Sequence, residues 1–75
     1  MGEVRLPDLG EVEDVTLVAW LVAEGDRVTA GEELVEVETE KTTFVVEAPA
    51  AGRVVRIAKR AGEKVQRDEV LAELG

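Results

Sequence analysis

Valine and glutamate alternate without a break over Val35-Glu36-Val37-Glu38. Successive side chains of an extended chain point to opposite faces, so this run predicts a strand with valine inward and glutamate in water. Val70-Leu71-Ala72-Glu73-Leu74 reads as a second such strand. Val15 to Trp20 and Val54-Val55-Arg56-Ile57 are rich in β-branched and apolar residues, and they predict two more. Thr42 to Glu47 is a further strand, and Val4-Arg5-Leu6 a short first one ended by Pro7. Gly25-Asp26, Gly62-Glu63 and Pro49 to Gly52 mark turns, with Gly25 and Gly62 expected at positions that need positive φ. No stretch has a helical period. The connection from Val28 to Leu34 leaves room for one turn of helix.

These elements repeat. Shifting the chain by 37 positions aligns its halves without a gap. Val18 falls on Val55, Gly25 on Gly62, Val28 on Val65, Glu32 on Glu69, Leu34 on Leu71 and Glu36 on Glu73. Trp20 falls on Ile57, which predicts a core or edge anchor for the tryptophan. A two-fold repeat is too short for a solenoid. It implies two similar β units covering each other's apolar faces. The expected fold is all-β: a flattened barrel or sandwich of two quasi-two-fold related sheets with roughly six to eight short strands.

With 75 residues the chain has room for one small domain, spanning 1–75. It contains no Cys and no His, so neither a disulfide nor a structural zinc site is available to staple it. The missing cysteines fit a reducing cytosol. No apolar run approaches the ~18 residues that span a bilayer, and Met1 to Asp8 does not read as a signal peptide. Seventeen acidic residues against nine basic ones give a net charge of −8. That balance argues against nucleic acid and anionic membranes as partners and favours a basic partner surface. Asn is absent and Gln66 is the only glutamine, a bias in the direction of proteins that work hot. Ser is also absent, so no Ser, His or Cys nucleophile can be assembled, and an enzyme is not expected.

The chemistry concentrates between two alternating strands, at Thr39-Glu40-Lys41-Thr42. Glu36, Glu38 and Glu40 share one face by period-two geometry, and Val35, Val37 and Thr39 share the other. Phe44 and Val46 are the expected inward residues of the outgoing strand. Only a two-residue turn remains, Glu40-Lys41, which puts the lysine at a hairpin tip in solvent. A solvated ammonium is a poor nucleophile, so any modification of Lys41 needs another enzyme to supply an activated acyl group.

Val35 to Thr43 closely resembles the modification motif of lipoyl domains, which belong to the acyltransferase (E2) components of 2-oxo acid dehydrogenase complexes. Leu6-Pro7-Asp8-Leu9-Gly10-Glu11, Trp20-Leu21-Val22, Glu24-Gly25-Asp26 with Val28, and Ala48-Pro49-Ala50-Ala51-Gly52 resemble that family too. The resemblance covers essentially the whole chain. Three positions depart from it. Val12 stands where the family often has glycine, Val45 where a polar residue is common, and Glu40 where aspartate is usual.

The resemblance implies that lipoic acid is joined to Lys41 as an amide by a lipoate ligase or lipoyl transferase. The arm would be reductively acylated by the E1 dehydrogenase, would deliver the acyl group to the E2 catalytic domain, and would be reoxidised by the E3 flavin dehydrogenase. Glu38, Thr39, Glu40 and Thr42, with the loop from Asp8 to Asp14, are the expected recognition residues, Glu40 first among them. The lysine's equivalent under the repeat falls just past Gly75, which puts the chain end opposite the hairpin. A biotinyl carrier domain is the runner-up, although those usually read Met-Lys-Met. A glycine-cleavage carrier and an unmodified interaction module are further alternatives.

Overall fold

The computed structural model describes residues 2–10, 12 and 14–75. Every regular element among them is a strand. The strands are β1 (Gly2–Arg5), β2 (Thr16–Trp20), β3 (Arg27–Val28), β4 (Glu33–Glu38), β5 (Thr43–Glu47), β6 (Gly52–Ile57) and β7 (Val70–Leu74). They form a four-stranded sheet in the order β1-β7-β6-β3 and a three-stranded sheet in the order β2-β4-β5, with antiparallel pairing throughout.

The hydrogen bonds reproduce the repeat. Val46 stands opposite Val35 in one sheet, and Val4 opposite Ala72, the equivalent of Val35, in the other. Beyond these strands Ala48 N–H donates to Glu32 O at 2.8 Å, and Leu6 N–H donates to Glu69 O at 3.0 Å. The units also cross. Gly25 N–H donates to Val54 O at 2.7 Å, and Gly62 N–H to Leu17 O at 2.8 Å. Arg27 pairs with Arg53 across β3 and β6, and the isolated Thr16–Lys64 bridge is its counterpart. Each half therefore supplies an edge that the other half's sheet needs.

The alternation decides what is buried. Leu17, Leu34, Val35, Val37 and Leu71 have no exposed surface, and Val4, Val54 and Ala72 have almost none. Val46 lies in the same cluster, and Phe44 packs against it half-buried. At about 25 cal/mol per Å² of buried apolar surface, this aliphatic cluster is the main stabilising contribution in a chain without disulfides. Trp20 is an edge anchor: its ring packs against the cluster, and Nε1 donates to Lys59 O at 2.7 Å.

Two expectations change. The connection from Val28 to Leu34 contains no helical turn. Arg27–Val28 is drawn into β3, and Thr29–Glu32 forms a tight turn in which Gly31 has φ of 86°, a conformation no right-handed helix contains. Strand ends also move by one or two residues: Leu6, Val15 and Thr42 fall just outside their strands, while β1, β4 and β6 start earlier, at Gly2, Glu33 and Gly52, the last of these expected in a turn. Leu6 still bonds to Glu69 and Asp68, and Val15 to Val65, because backbone pairing continues where the ladder stops.

That turn is one of four with the same construction. In Ala23–Asp26, Thr29–Glu32, Arg60–Glu63 and Gln66–Glu69, the fourth residue's N–H donates to the first residue's carbonyl. The fourth residue's carboxylate then accepts the first residue's N–H, at 2.9, 3.0, 2.6 and 2.8 Å respectively. The third positions have φ of 95° at Gly25, 86° at Gly31, 91° at Gly62 and 66° at Asp68. The sequence marks Gly25-Asp26 and Gly62-Glu63 as turns, but not the carboxylate that closes each one or the two turns ending at Glu32 and Glu69. Their signal was available, since the acid one place after each turn residue recurs at the 37-residue spacing.

Candidate functional site

The hairpin between β4 and β5 is closed by one hydroxyl. Thr39 is only 7 % exposed, on the same inward face as Val35 and Val37. Its Oγ1 accepts the N–H of Lys41 and the N–H of Thr42, each at 3.1 Å, and donates to Thr42 O at 3.0 Å. Thr39 N–H also donates to Thr42 O, at 2.8 Å. Neither Glu40 nor Lys41 has positive φ. The connection is therefore not one of the primed turns whose twist suits a two-residue hairpin. In such a turn the side chain of Thr39 takes over the acceptor work that a backbone carbonyl ordinarily does.

Lys41 sits at the apex with its side chain exposed. Two strands in unbroken register from Val35–Val46 to Glu38–Thr43 hold its base. Glu38, Glu40 and Thr42 are exposed around it, and Glu36 is half-buried further down the same face as Glu38. Thr39, expected among the recognition residues, lies inside the turn. All its side-chain hydrogen bonds go to turn backbone, so it acts on the surface through the shape it imposes.

The loop preceding β2 reaches this end of the molecule, because Thr16 pairs with Glu38. Within it Asp8 Oδ1 accepts Gly10 N–H at 2.9 Å, and Asp14 has φ of 53°. Asp14 and Asp8 lie 3.7 and 3.6 Å from Lys64 and Arg67. Glu11 and Glu13, part of the Asp8 to Asp14 expectation, lie outside the described residues. Beneath the loop is a surface hollow of about 400 Å³ lined by Leu6, Leu9, Val12, Val15 and Val65 among others. Among the described residues no three His, Cys, Asp or Glu side chains are grouped to hold a metal. Among the described residues no helix is long and apolar enough to cross a membrane.

The shifted titratable pair lies away from the hairpin. Lys59 Nζ and Glu69 Oε2 are 2.8 Å apart. Their hydrogen bond raises the Lys59 amine above its ordinary value. It also lowers the Glu69 carboxyl, with help from the Gln66 N–H. The pair fastens one of the four turns.

The biotin/lipoyl family, described as "biotin-requiring enzyme", matches residues 2–74. A Rickettsia felis protein, the dihydrolipoyllysine-residue succinyltransferase component of the 2-oxoglutarate dehydrogenase complex, is 40 % identical over 73 residues. The match covers 96 % of this chain and 18 % of that protein. The dihydrolipoyllysine-residue acetyltransferase component of the pyruvate dehydrogenase complex of Corynebacterium glutamicum is 38 % identical over 97 % of this chain and 11 % of its own length. The chain thus spans less than a fifth of these relatives. Among solved structures, the lipoyl domain of the Azotobacter vinelandii 2-oxoglutarate dehydrogenase complex superposes with a TM-score of 0.79 at 30 % identity. That match covers all of this chain and 96 % of the other. Kluyveromyces lactis urea carboxylase superposes at 0.80 with 26 % identity, over all of this chain and 6 % of the enzyme.

Proposed function

This chain belongs to the biotin/lipoyl family and is a lipoyl-type carrier domain, not itself catalytic; from that premise we propose that Lys41 is its attachment point, joined to lipoic acid as an amide. The observation that carries the proposal is the apex. Lys41 is exposed at the apex of a turn whose backbone is locked by a buried hydroxyl and two paired strands. The amine is accessible to a modifying enzyme, while the base of the arm stays fixed.

The residues present suit such an arm. Amide formation removes one positive charge from an end already lined by Glu38 and Glu40, leaving a more strongly acidic rim. A bound lipoyl group supplies a disulfide that takes up an acyl group together with two electrons. The chain's own contribution is placement. Tethering raises the effective concentration of the reactive end at each partner site, and the rigid hairpin limits the directions from which the arm approaches.

We extend the reading to the assembly. The domain serves a cytoplasmic 2-oxo acid dehydrogenase complex, receiving its arm from a lipoate ligase and visiting the E1, E2 and E3 sites in turn. The E2 relatives and the shared architecture support this. Among the recognition residues Glu40, Glu38 and Thr42 present their side chains at the rim, and Thr39 shapes it. The likeness to a carboxylase keeps biotin as the second reading.

The test is direct. The domain is co-expressed with a lipoate ligase, lipoate is supplied, and intact mass is compared with a Lys41→Ala variant. One lipoyl increment in the parent and none in the variant is the expected result. No increment in the parent, or an equal one in the variant, overturns the assignment. A parallel trial with a biotin ligase decides the second reading.

A further inference from the structure

The internal repeat supplies its own control for the outer face of the sheet that carries Lys41. In the four-stranded sheet, Glu3, Glu73 and Arg56 stand in one row across β1, β7 and β6. Arg56 Nε donates to Glu73 Oε2 at 3.1 Å, and Glu3 pairs with Arg5. Every carboxylate in that row has a cation of its own.

The equivalent row in the three-stranded sheet is Val45, Glu36 and Ala19, across β5, β4 and β2. A bulge occurs at the same place in both halves. It sets Val18 beside Ala19 opposite Glu36, as it sets Val55 beside Arg56 opposite Glu73. The substitutions between halves are pointed. Alanine replaces the arginine that would neutralise Glu36, and valine replaces the outer glutamate. Glu36 has no ion pair among the described residues, is half-buried, and lies between Val18 and Val45, which are 40 and 41 % exposed.

A half-buried carboxylate flanked by exposed valines is a receptor for a cation with an apolar stem. Arginine fits best, because its guanidinium meets a carboxylate in two parallel bonds and its methylenes lie along apolar surface. The row lies on the strands that form the hairpin, roughly 10–15 Å from its tip at about 3.4 Å per residue. A protein acting at Lys41 has to come down beside it.

We infer that the Val18–Glu36–Val45 face is a docking surface for the ligase that modifies Lys41, and that it receives an arginine of that enzyme in the place Arg56 fills in the other half. The inference rests on the Lys41 reading. The net charge of −8 makes a basic partner surface the complementary one.

The test measures initial rates of lipoylation by a purified lipoate ligase against domain concentration. It uses the parent, Glu36→Gln and Ala19→Arg. The second variant installs the missing arginine in the chain itself, so Glu36 is occupied before the enzyme arrives. Both are expected to raise KM for the domain about tenfold with kcat little changed, because an interfacial charge pair acts mainly on association. Added salt is expected to raise the parent's KM and to affect Glu36→Gln much less. Arg56→Ala, in the other half, is expected to leave KM unchanged. Thermal midpoints of all variants establish that the fold is intact. A KM within about twofold of the parent for both variants overturns the inference. A parent that gains no lipoyl mass instead overturns the Lys41 assignment, so the two failures are distinguishable.

Discussion

The hydroxyl of Thr39 holds the backbone of Lys41, accepting its N–H at 3.1 Å from a position that is 93 % buried. A valine in place of Thr39 keeps the shape and removes the acceptor. Two N–H groups of the turn then lose their partner, and Thr42 O loses a donor. Thr39→Val is expected to lower stability by about 1–2 kcal/mol, near the net value of one or two hydrogen bonds, since the exposed apex lets water replace part of the loss. Thr39→Ser is expected to recover most of it. Urea unfolding midpoints check the stability, and amide hydrogen exchange at Lys41 and Thr42 checks the cause. Exchange at these two amides should quicken in Thr39→Val by more than the global loss explains.

The hairpin was legible in the sequence because period-two alternation survives one substitution of chemistry. Thr39 follows Val35 and Val37 on the inward face, and burial follows the pattern whether or not the residue is apolar. What the alternation could not reveal was the hydroxyl's task. That depends on the turn's φ values, and no residue type in Glu40-Lys41 announces them. The repeat was legible for a similar reason, since Leu34 and Leu71 occupy equivalent core places. The crossing of the units was not, because a bond such as Gly25 N–H to Val54 O links residues far apart in the chain. The helical turn for which the Val28 to Leu34 connection left room did not form, because Gly31 takes a positive φ there.

Asp68 occupies the turn position that Gly31 holds in the first half, with φ of 66°. A left-handed conformation costs a residue with a Cβ about 1 kcal/mol, somewhat less for aspartate than for most. Asp68→Gly relieves that strain but gives the unfolded chain more freedom. The expected net effect is a gain of a few tenths up to about 1 kcal/mol. The reverse exchange, Gly31→Ala, is expected to lose about 1 kcal/mol or more. A Cβ on Gly31 would meet nothing within 4 Å, so the loss is conformational and not a clash. Paired thermal melts at one pH measure both.

Gly52 is constrained differently. Its φ is ordinary, but a Cβ there would come within 2.9 Å of the carbonyl oxygen of Gly75. That same oxygen accepts Arg53 N–H at 2.9 Å, so it cannot retreat without breaking a ladder bond. Gly52→Ala is expected to cost roughly 1–3 kcal/mol, in the range of overpacking. A variant lacking Gly75 should remove most of that penalty. Denaturation of the two single changes and their combination gives the coupling, and additivity within error refutes the contact as the cause.

Glu69 carries the acid sensitivity of its turn. Its carboxyl is lowered below the usual 4.5 by the Lys59 hydrogen bond first and by the Gln66 N–H second. A carboxyl lowered on folding stabilises the native state above its unfolded value, and that stabilisation fades as pH falls through the folded value. The Lys59 side of the pair runs the other way. Its amine is raised above 10.5, so its contribution is present below that value and fades as pH rises through the folded one. Glu69→Gln keeps an acceptor for Gln66 N–H but removes the charge. Its thermal midpoint is expected to lie below the parent's at neutral pH and to converge on it in acid, because the parent alone has this contribution to lose. Midpoints recorded between about pH 2.5 and 7 test the sign. A difference that stays constant over that range would show that the pair's charge contributes nothing to the stability of the fold.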